Sequence, residues 1–248
     1  MPETTTWESQ TAVVAGGTGS LGSGVAEALA RRKMRVLTLS RNAPASGTPG
    51  GEGIQHLVGD AADETTVARV FDEIQPDLVV LCVGVSPLLR PLHLHTWETF
   101  SQVWEVDTKS TFVWLRNTLL LPMKPGGHVI VVSSAAAIQG SVLSGGYASA
   151  KRAQWFIAKY AALEVARRNL GLHIHCLLPM LNPNGIGKAA IAAYAGRAGV
   201  STDEFAKRFG LPLTPALMGQ AVVDLHEDPA KWNQVAYQID GRGLTAVA

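Results

Sequence analysis

The chain has 248 residues, 47% hydrophobic and 17% charged, a balance that supports a sizeable core and excludes a disordered or fibrous chain. Lys plus Arg number 21 and Asp plus Glu 20, so no global charge excess points to nucleic acid or an anionic membrane. The N-terminal "MPETTTWESQ" lacks the basic-then-apolar pattern of a secretory signal, and no apolar run approaches the ~18 residues of a membrane-spanning helix. The two cysteines, Cys82 and Cys176, lie in apolar strand-like runs, where free cysteine acts as a small core hydrophobe. A reducing, cytoplasmic location is expected.

In chain order, a strand is expected at Thr11–Ala15, then a helix at Ser20–Arg32, a second strand at Arg35–Leu39, and a surface loop at Ser46–Gly53. A weak strand at Ile54–Val58 precedes "TTVARVFDEIQ", where Val67, Val70, Phe71 and Ile74 recur at i, i+3, i+4 and i+7 on one helix face. Strands at Leu78–Val83, His128–Ser133, His173–Leu178 and Val235–Asp240 alternate with helices at Trp97–Leu121, Ala148–Asn169 and Pro215–His226, and "NPNGIG", Asn182 to Gly187, breaks the chain after the sixth strand. This alternation is the mark of βαβ units. The expected class is α/β, a Rossmann fold with a doubly wound, mostly parallel seven-stranded sheet and helices on both faces. No repeat, linker or composition shift divides residues 1–248, so one domain is expected.

The glycine cluster "GGTGSLG" sits between the first strand and the first helix, the context that makes glycine spacing informative. Gly16, Gly19 and Gly22 form G-x-x-G-x-x-G: the first allows the turn, the second admits a pyrophosphate and the third permits close helix packing. The helix N-terminus adds N–H groups and a positive dipole end, and Thr18, Ser20 and Leu21 complete the candidate cofactor loop. No Lys-Ser or Lys-Thr follows, which disfavours a phosphate-transferring loop. After the second strand, Ser40 stands where an acid would take the ribose 2′-hydroxyl, and Arg41 offers a fork for a 2′-phosphate. NADP(H) is therefore expected over NAD(H); an arginine that merely ends a strand in solvent is the other reading.

The stretch "HVIVVSSAAAIQGSVLSGGYASAKRAQ" places Ser134 at a strand end, Tyr147 thirteen residues later and Lys151 four further on. Tyr147 and Lys151 share one face at the start of a helix. An ammonium there stabilises a phenolate, and a serine hydroxyl can steady the oxygen of a carbonyl that receives hydride. With the glycine loop, Asp60, Gly84 and the closing "IDGRG", this ordered set resembles the short-chain dehydrogenase/reductase family over nearly the whole chain.

The resemblance implies a dinucleotide-binding domain whose substrate pocket is built from its C-terminal-side loops. It also implies an NADPH-dependent carbonyl reductase or alcohol dehydrogenase that uses Tyr147 as proton donor. Lys151 would tune the tyrosine and hold the nicotinamide ribose, while Asp60, Ala61, Val83 and Gly84 would contact the cofactor. Asp60 is open to a second reading as a helix N-cap before Glu64. A small-molecule carbonyl or alcohol is the expected partner. A homotetramer or homodimer would pair through the helices Trp97–Leu121 and Ala148–Asn169, where Trp104, Trp114, Trp155 and Phe156 are available for contact or core packing.

His93 and His95 alternate as metal ligands can, but no third ligand stands at suitable spacing, so a solvated or substrate-lining loop is expected and no metal. Several positions depart from the family pattern: "LCVG" after the fourth strand, Pro179-Met180 after the sixth, Ser20 for a glycine, and Asp107 in "EVDTKST" for the active-site asparagine. Asp107 is expected to hold the relay water and to add a negative charge near Lys151; alternatively it points away and serves its helix. Two other functions stay open, a redox-silent NADP(H)-binding sensor and a non-redox lyase or isomerase on the same scaffold. Substrate contacts are expected from Leu88–His95, Gln139–Ser144 and Met180–Phe209.

Overall fold

The computed structural model describes residues 7–43, 53–121, 123–181 and 186–247, the side chain of Ile186 excepted. The strands β1 (Thr11–Ala15), β4 (Leu78–Leu81), β5 (His128–Val132) and β6 (His173–Pro179) are buried at almost every position. Such continuous apolar runs mark strands covered on both faces. Together with β2 (Arg35–Ser40), β3 (Ile54–Val58), β7 (Ala236–Asp240) and β8 (Gly243–Val247) they form one sheet in the order β3-β2-β1-β4-β5-β6-β7-β8. Strands β1 to β7 pair in parallel.

The sheet has eight strands rather than the expected seven. β8 returns antiparallel on β7, from Asp240↔Gly243 to Ala236↔Val247. Asp240 nucleates the reversal by accepting from the Arg242 backbone N–H at 2.8 Å, and Gly243 takes φ 119°. Five partly exposed residues at a sheet edge carry no long apolar run, which hid this strand from the sequence pattern.

On one sheet face lie α2 (Glu64–Arg69), α4 (Lys109–Leu120) and α6 (Gly145–Arg167), which bury Val67, Trp114 and Trp155 against Val13, Val79 and Val129. On the other, α1 (Ser20–Arg31) and α9 (Pro215–Glu227) bury Val25, Leu29, Met218 and Val222 against Val14, Val80 and Ile130. These two apolar layers cover both faces of the sheet and leave the strand ends to the loops.

The single helix expected over Trp97–Leu121 is three pieces: α3 (Trp97–Val103), a π-helical turn at Trp104–Thr108, and α4. The helix through "TTVARVFDEIQ" likewise passes from α2 into a π-helical turn at Val70–Ile74, although its inward face of Val67, Val70 and Phe71 is as expected. α6 begins at Gly145, before the expected Ala148. Three further helices, α5 (Ala136–Gln139), α7 (Ile186–Ala198) and α8 (Thr202–Lys207), were not anticipated. α7 takes up the end of "NPNGIG", while most of that segment and most of the Ser46–Gly53 loop lie outside the described residues.

Candidate active site

The strand order reverses direction between β1 and β4, and a crevice opens beyond the carboxyl ends of those strands, where α/β sheets bind ligands. Gly16, immediately after β1, takes φ 77°, and a Cβ there would stand 2.6 Å from the Cys82 carbonyl oxygen that follows β4. At Gly22, in the first turn of α1, a Cβ would stand 2.3 Å from the Gly16 carbonyl. No side chain fits at either place, so the backbone itself forms the cradle. The first-turn N–H groups of α1 lack helical partners by geometry, which fits the loop for a pyrophosphate.

A cavity of about 660 Å³ runs from this loop to the region around α7 and α8. Of the candidate residues, Gly19, Ser20, Leu21, Gly22, Val83, Gly84, Ser134, Tyr147 and Lys151 line it. Gly16 shapes it from behind, and Thr18 is exposed on the loop. Ser40, Arg41, Asp60 and Ala61 stand outside it, at the carboxyl ends of β2 and β3.

Arg41 is exposed, and Ser40 bonds through its hydroxyl to the Asn42 carbonyl at 2.7 Å. One oxygen of Asp60 accepts from the Ala62 N–H at 2.8 Å. The N-cap of α2 is Asp63, which accepts from the Thr66 N–H at 2.7 Å, so the capping reading of Asp60 is corrected. The Ala61 carbonyl accepts from the Trp114 indole N–H at 3.0 Å.

Tyr147 and Lys151 lie on one face of α6, with the Lys151 Nζ 5.4 Å from the centre of the Tyr147 ring. Ser134 follows β5 and caps the turn into α5 by accepting from the Ala136 N–H at 3.2 Å. Its neighbour Ser133 donates to the Lys151 carbonyl at 2.7 Å and so docks α6 on the strand end. Ser133 escaped the sequence reading because a serine pair at a strand end does not say which member faces the helix.

Asp107 is fully buried on the π-helical turn, a distortion that often marks functional sites. Its carboxylate meets the Lys151 Nζ directly at 2.9 Å. The other oxygen accepts from the Val85 N–H at 3.0 Å, just beyond the cavity-lining Gly84. Its backbone carbonyl accepts from Gln154 Nε2 at 2.9 Å and from Thr111 Oγ1 at 3.0 Å. The reading in which Asp107 points away is therefore corrected, and so is its contact: the carboxylate reaches the ammonium itself.

Burial pushes the Asp107 carboxyl above its usual range, against the opposing pull of Lys151 and the Val85 N–H. Burial also works against the Lys151 ammonium, but Asp107 and Tyr147 outweigh it and hold the lysine above its usual range. The pair carries opposite charges in a dry setting and each partner needs the other.

The three segments expected at the substrate end all contribute to the cavity, but the two histidines among them do not. His93 and His95 do not line the cavity; His95 packs edge-on against Phe100 and bonds to the Arg90 carbonyl at 3.2 Å. The wall comes from Leu89, from the Gln139–Ser144 segment and from Tyr194, Phe205 and Phe209 within Met180–Phe209, all in expected segments, with Pro87 just outside them. Among the described residues there is no metal-binding cluster. Cys82 also borders the cavity, and burial pushes its thiol and that of Cys176 up to about 12, which leaves both unreactive.

The sequence profile of short chain dehydrogenases matches residues 10–191 of the chain. The chain is 32% identical over 183 residues to the human dehydrogenase/reductase SDR family member 2, mitochondrial, a match over 68% of this chain and 63% of that protein. It is 25% identical over 242 residues to carbonyl reductase family member 4 of Danio rerio, covering 94% of this chain and 97% of that one. The crystal structure of NAD+-bound xylitol dehydrogenase superposes with a TM-score of 0.81 at 18% identity, over 94% and 98% of the two chains, and shows the shared fold. With a matched profile that runs from the start of β1 into α7, across the glycine cradle, Ser134, Tyr147 and Lys151, the chain belongs to the short-chain dehydrogenase/reductase family.

Proposed function

We propose that the protein is an NADP(H)-dependent carbonyl reductase that moves hydride between the nicotinamide and a ketone or aldehyde, with Tyr147 as the proton donor. The observation that carries the reading is one cavity bordered at once by the glycine cradle and by Ser134, Tyr147 and Lys151. The name of the Danio rerio relative, carbonyl reductase, accords with it.

The nicotinamide supplies the hydride. Ser134 Oγ donates a hydrogen bond to the carbonyl oxygen as negative charge develops there. Tyr147 transfers its hydroxyl proton to that oxygen, and the Lys151 ammonium stabilises the phenolate left behind. Asp107 fixes the Lys151 side chain and belongs to the same proton-handling unit. Arg41, exposed at the end of β2 with no acidic neighbour at Ser40, would receive a 2′-phosphate.

The chain works as one dinucleotide-binding domain, and its two cysteines are free, which suits a reducing, cytoplasmic setting. Pairing into a dimer or tetramer would use the outer face of α4 and α6, where Phe112, Phe156, Tyr160 and Leu163 are exposed. Trp114 and Trp155 are buried core residues and do not belong to that face, whereas Trp104 is partly exposed.

The test is oxidation of NADPH by the purified protein against a panel of ketones and aldehydes. Consumption of NADPH that depends on a carbonyl compound is the expected result. Tight cofactor binding with no turnover on any carbonyl would instead identify a sensor or a non-redox enzyme.

A further inference from the structure

Tyr194, within the Met180–Phe209 stretch expected to supply substrate contacts, joins the substrate wall to the chain that enters the helix of Tyr147 and Lys151. Its ring lies on that of Phe205 with centroids 5.9 Å apart and planes 8° from parallel, and Phe205 meets Phe209 at 5.4 Å and 57°. Its hydroxyl bonds to Ser141 Oγ and accepts from the Leu143 N–H at 3.1 Å. Ser141 Oγ bonds in turn to the hydroxyl of Ser144, the residue at the N-cap position of α6. Three residues further on stands Tyr147.

The surrounding wall is apolar, with Leu89, Ile138 and Met180 beside the three aromatic rings. Among the described lining residues, Lys151 carries the one charge, and Asp107 already partners it. A carboxylate or phosphate on the substrate would find no counter-charge here, and a buried unpaired charge is strongly disfavoured. A flat ring, by contrast, can continue the stacked or edge-on packing that aromatic walls favour.

We propose that this site, on the carbonyl reductase reading above, takes uncharged ketones that carry a flat aromatic or alicyclic ring. Tyr194 determines that preference: its ring forms the wall, and its hydroxyl holds the wall in register with Tyr147. It is a positioning residue and makes no proton transfer.

Three probes separate the features: β-tetralone, a neutral ring ketone; methyl octyl ketone, neutral and open-chain; and phenylpyruvate, a ring with a carboxylate. Affinity for the cofactor-loaded protein is read by saturation-transfer NMR, and turnover by NADPH oxidation. β-Tetralone should bind at least about tenfold more tightly than either of the others. Tyr194→Leu should weaken β-tetralone by about threefold to tenfold and leave methyl octyl ketone nearly unchanged. Tyr194→Phe keeps the wall and removes the tether, so kcat for β-tetralone should fall with KM little altered.

Equal binding of the three probes, or an equal loss for all of them in Tyr194→Leu, would overturn the assignment even if the protein reduces carbonyls. An unchanged kcat in Tyr194→Phe would overturn the tether. Selective, Tyr194-dependent binding of β-tetralone with no NADPH oxidation on any ketone or aldehyde of the panel would support the ring site and refute the reductase reading, so the two failures are distinct.

Discussion

Replacing Asp107 by asparagine removes one charge from a pair that meets at 2.9 Å with both partners buried. At an effective dielectric constant of about 20, opposite charges 2.9 Å apart attract by about 6 kcal/mol before the cost of burying them. Burial presses on the Lys151 ammonium, and Asp107 is the leading group that offsets it. The lysine of Asp107→Asn therefore discharges at lower pH, and the charge that steadies the proton donor is lost with it.

The expected outcome is a basic limb of the kcat/KM profile displaced downward by about one pH unit, allowing for screening. Unfolding free energy should fall by about 3 kcal/mol, the lower end for breaking a buried pair, because asparagine can still accept from the Val85 N–H. The assay is carbonyl reduction from about pH 6 to 10 with deuterated NADPH, which verifies that hydride transfer limits the rate. Superimposable profiles, or a basic limb moved upward, would refute Asp107 as part of the proton-handling unit.

Tyr147→Phe should lower kcat by about a thousandfold with cofactor affinity nearly intact by titration, and Lys151→Ala should damage both; a phenylalanine variant that keeps a tenth of the activity would remove Tyr147 as donor. Arg41→Asp should reverse a preference for NADPH over NADH, and equal affinity of the wild type for both would refute the 2′-phosphate role. Leu163→Glu, at an exposed position of α6, should shift the assembly toward monomer in light scattering, and a wild-type monomer at micromolar concentration would refute the pairing. At the amino ends of β5 and β6, away from the cavity at the strands' carboxyl ends, His128, His173, His175 and His226 cluster. Burial holds all four below the usual histidine range, with His226 at about 4. The unfolded state then takes up protons first, so stability should fall as pH drops from about 6.5 towards 4, by more than about 1.4 kcal/mol per pH unit. Denaturant unfolding that is flat between pH 7 and 5 would refute this.

The parts of the site that were legible in the sequence are those fixed by local geometry. Gly16 and Gly22 occupy positions where no Cβ fits, and Tyr147 and Lys151 are one helical turn apart, so both were readable once the glycine loop, Ser134, Tyr147 and Lys151 were taken as an ordered set. The central strands were legible because sheet burial on both faces leaves continuous apolar runs such as Leu78–Leu81 and His128–Val132. Long-range packing was not legible. Trp104 and Trp114 look alike as letters, but Trp114 packs in the core while Trp104, on the π-helical turn, stays partly exposed. Tyr194 sits in the alanine-rich "KAAIAAYAGRAG", where no periodicity marks a face, and its bonds reach back to Ser141 and Leu143.

Asp107 shows how a local irregularity and the chemistry are connected. A regular helix through Trp97–Leu120 would carry one phase from end to end, but the π-helical turn at Trp104–Thr108 breaks that phase. α4 buries Val113 and Trp114 against the sheet, while Asp107, about two turns earlier, faces Lys151 and Val85. The same residue therefore ties three elements together: the loop after β4, α4 through Thr111, and α6 through both Lys151 and Gln154. An isolated buried carboxylate would cost several kcal/mol, and Lys151 opposite Asp107 offsets that cost. The arrangement that holds the lysine in place is thus also the one that keeps it charged beside Tyr147.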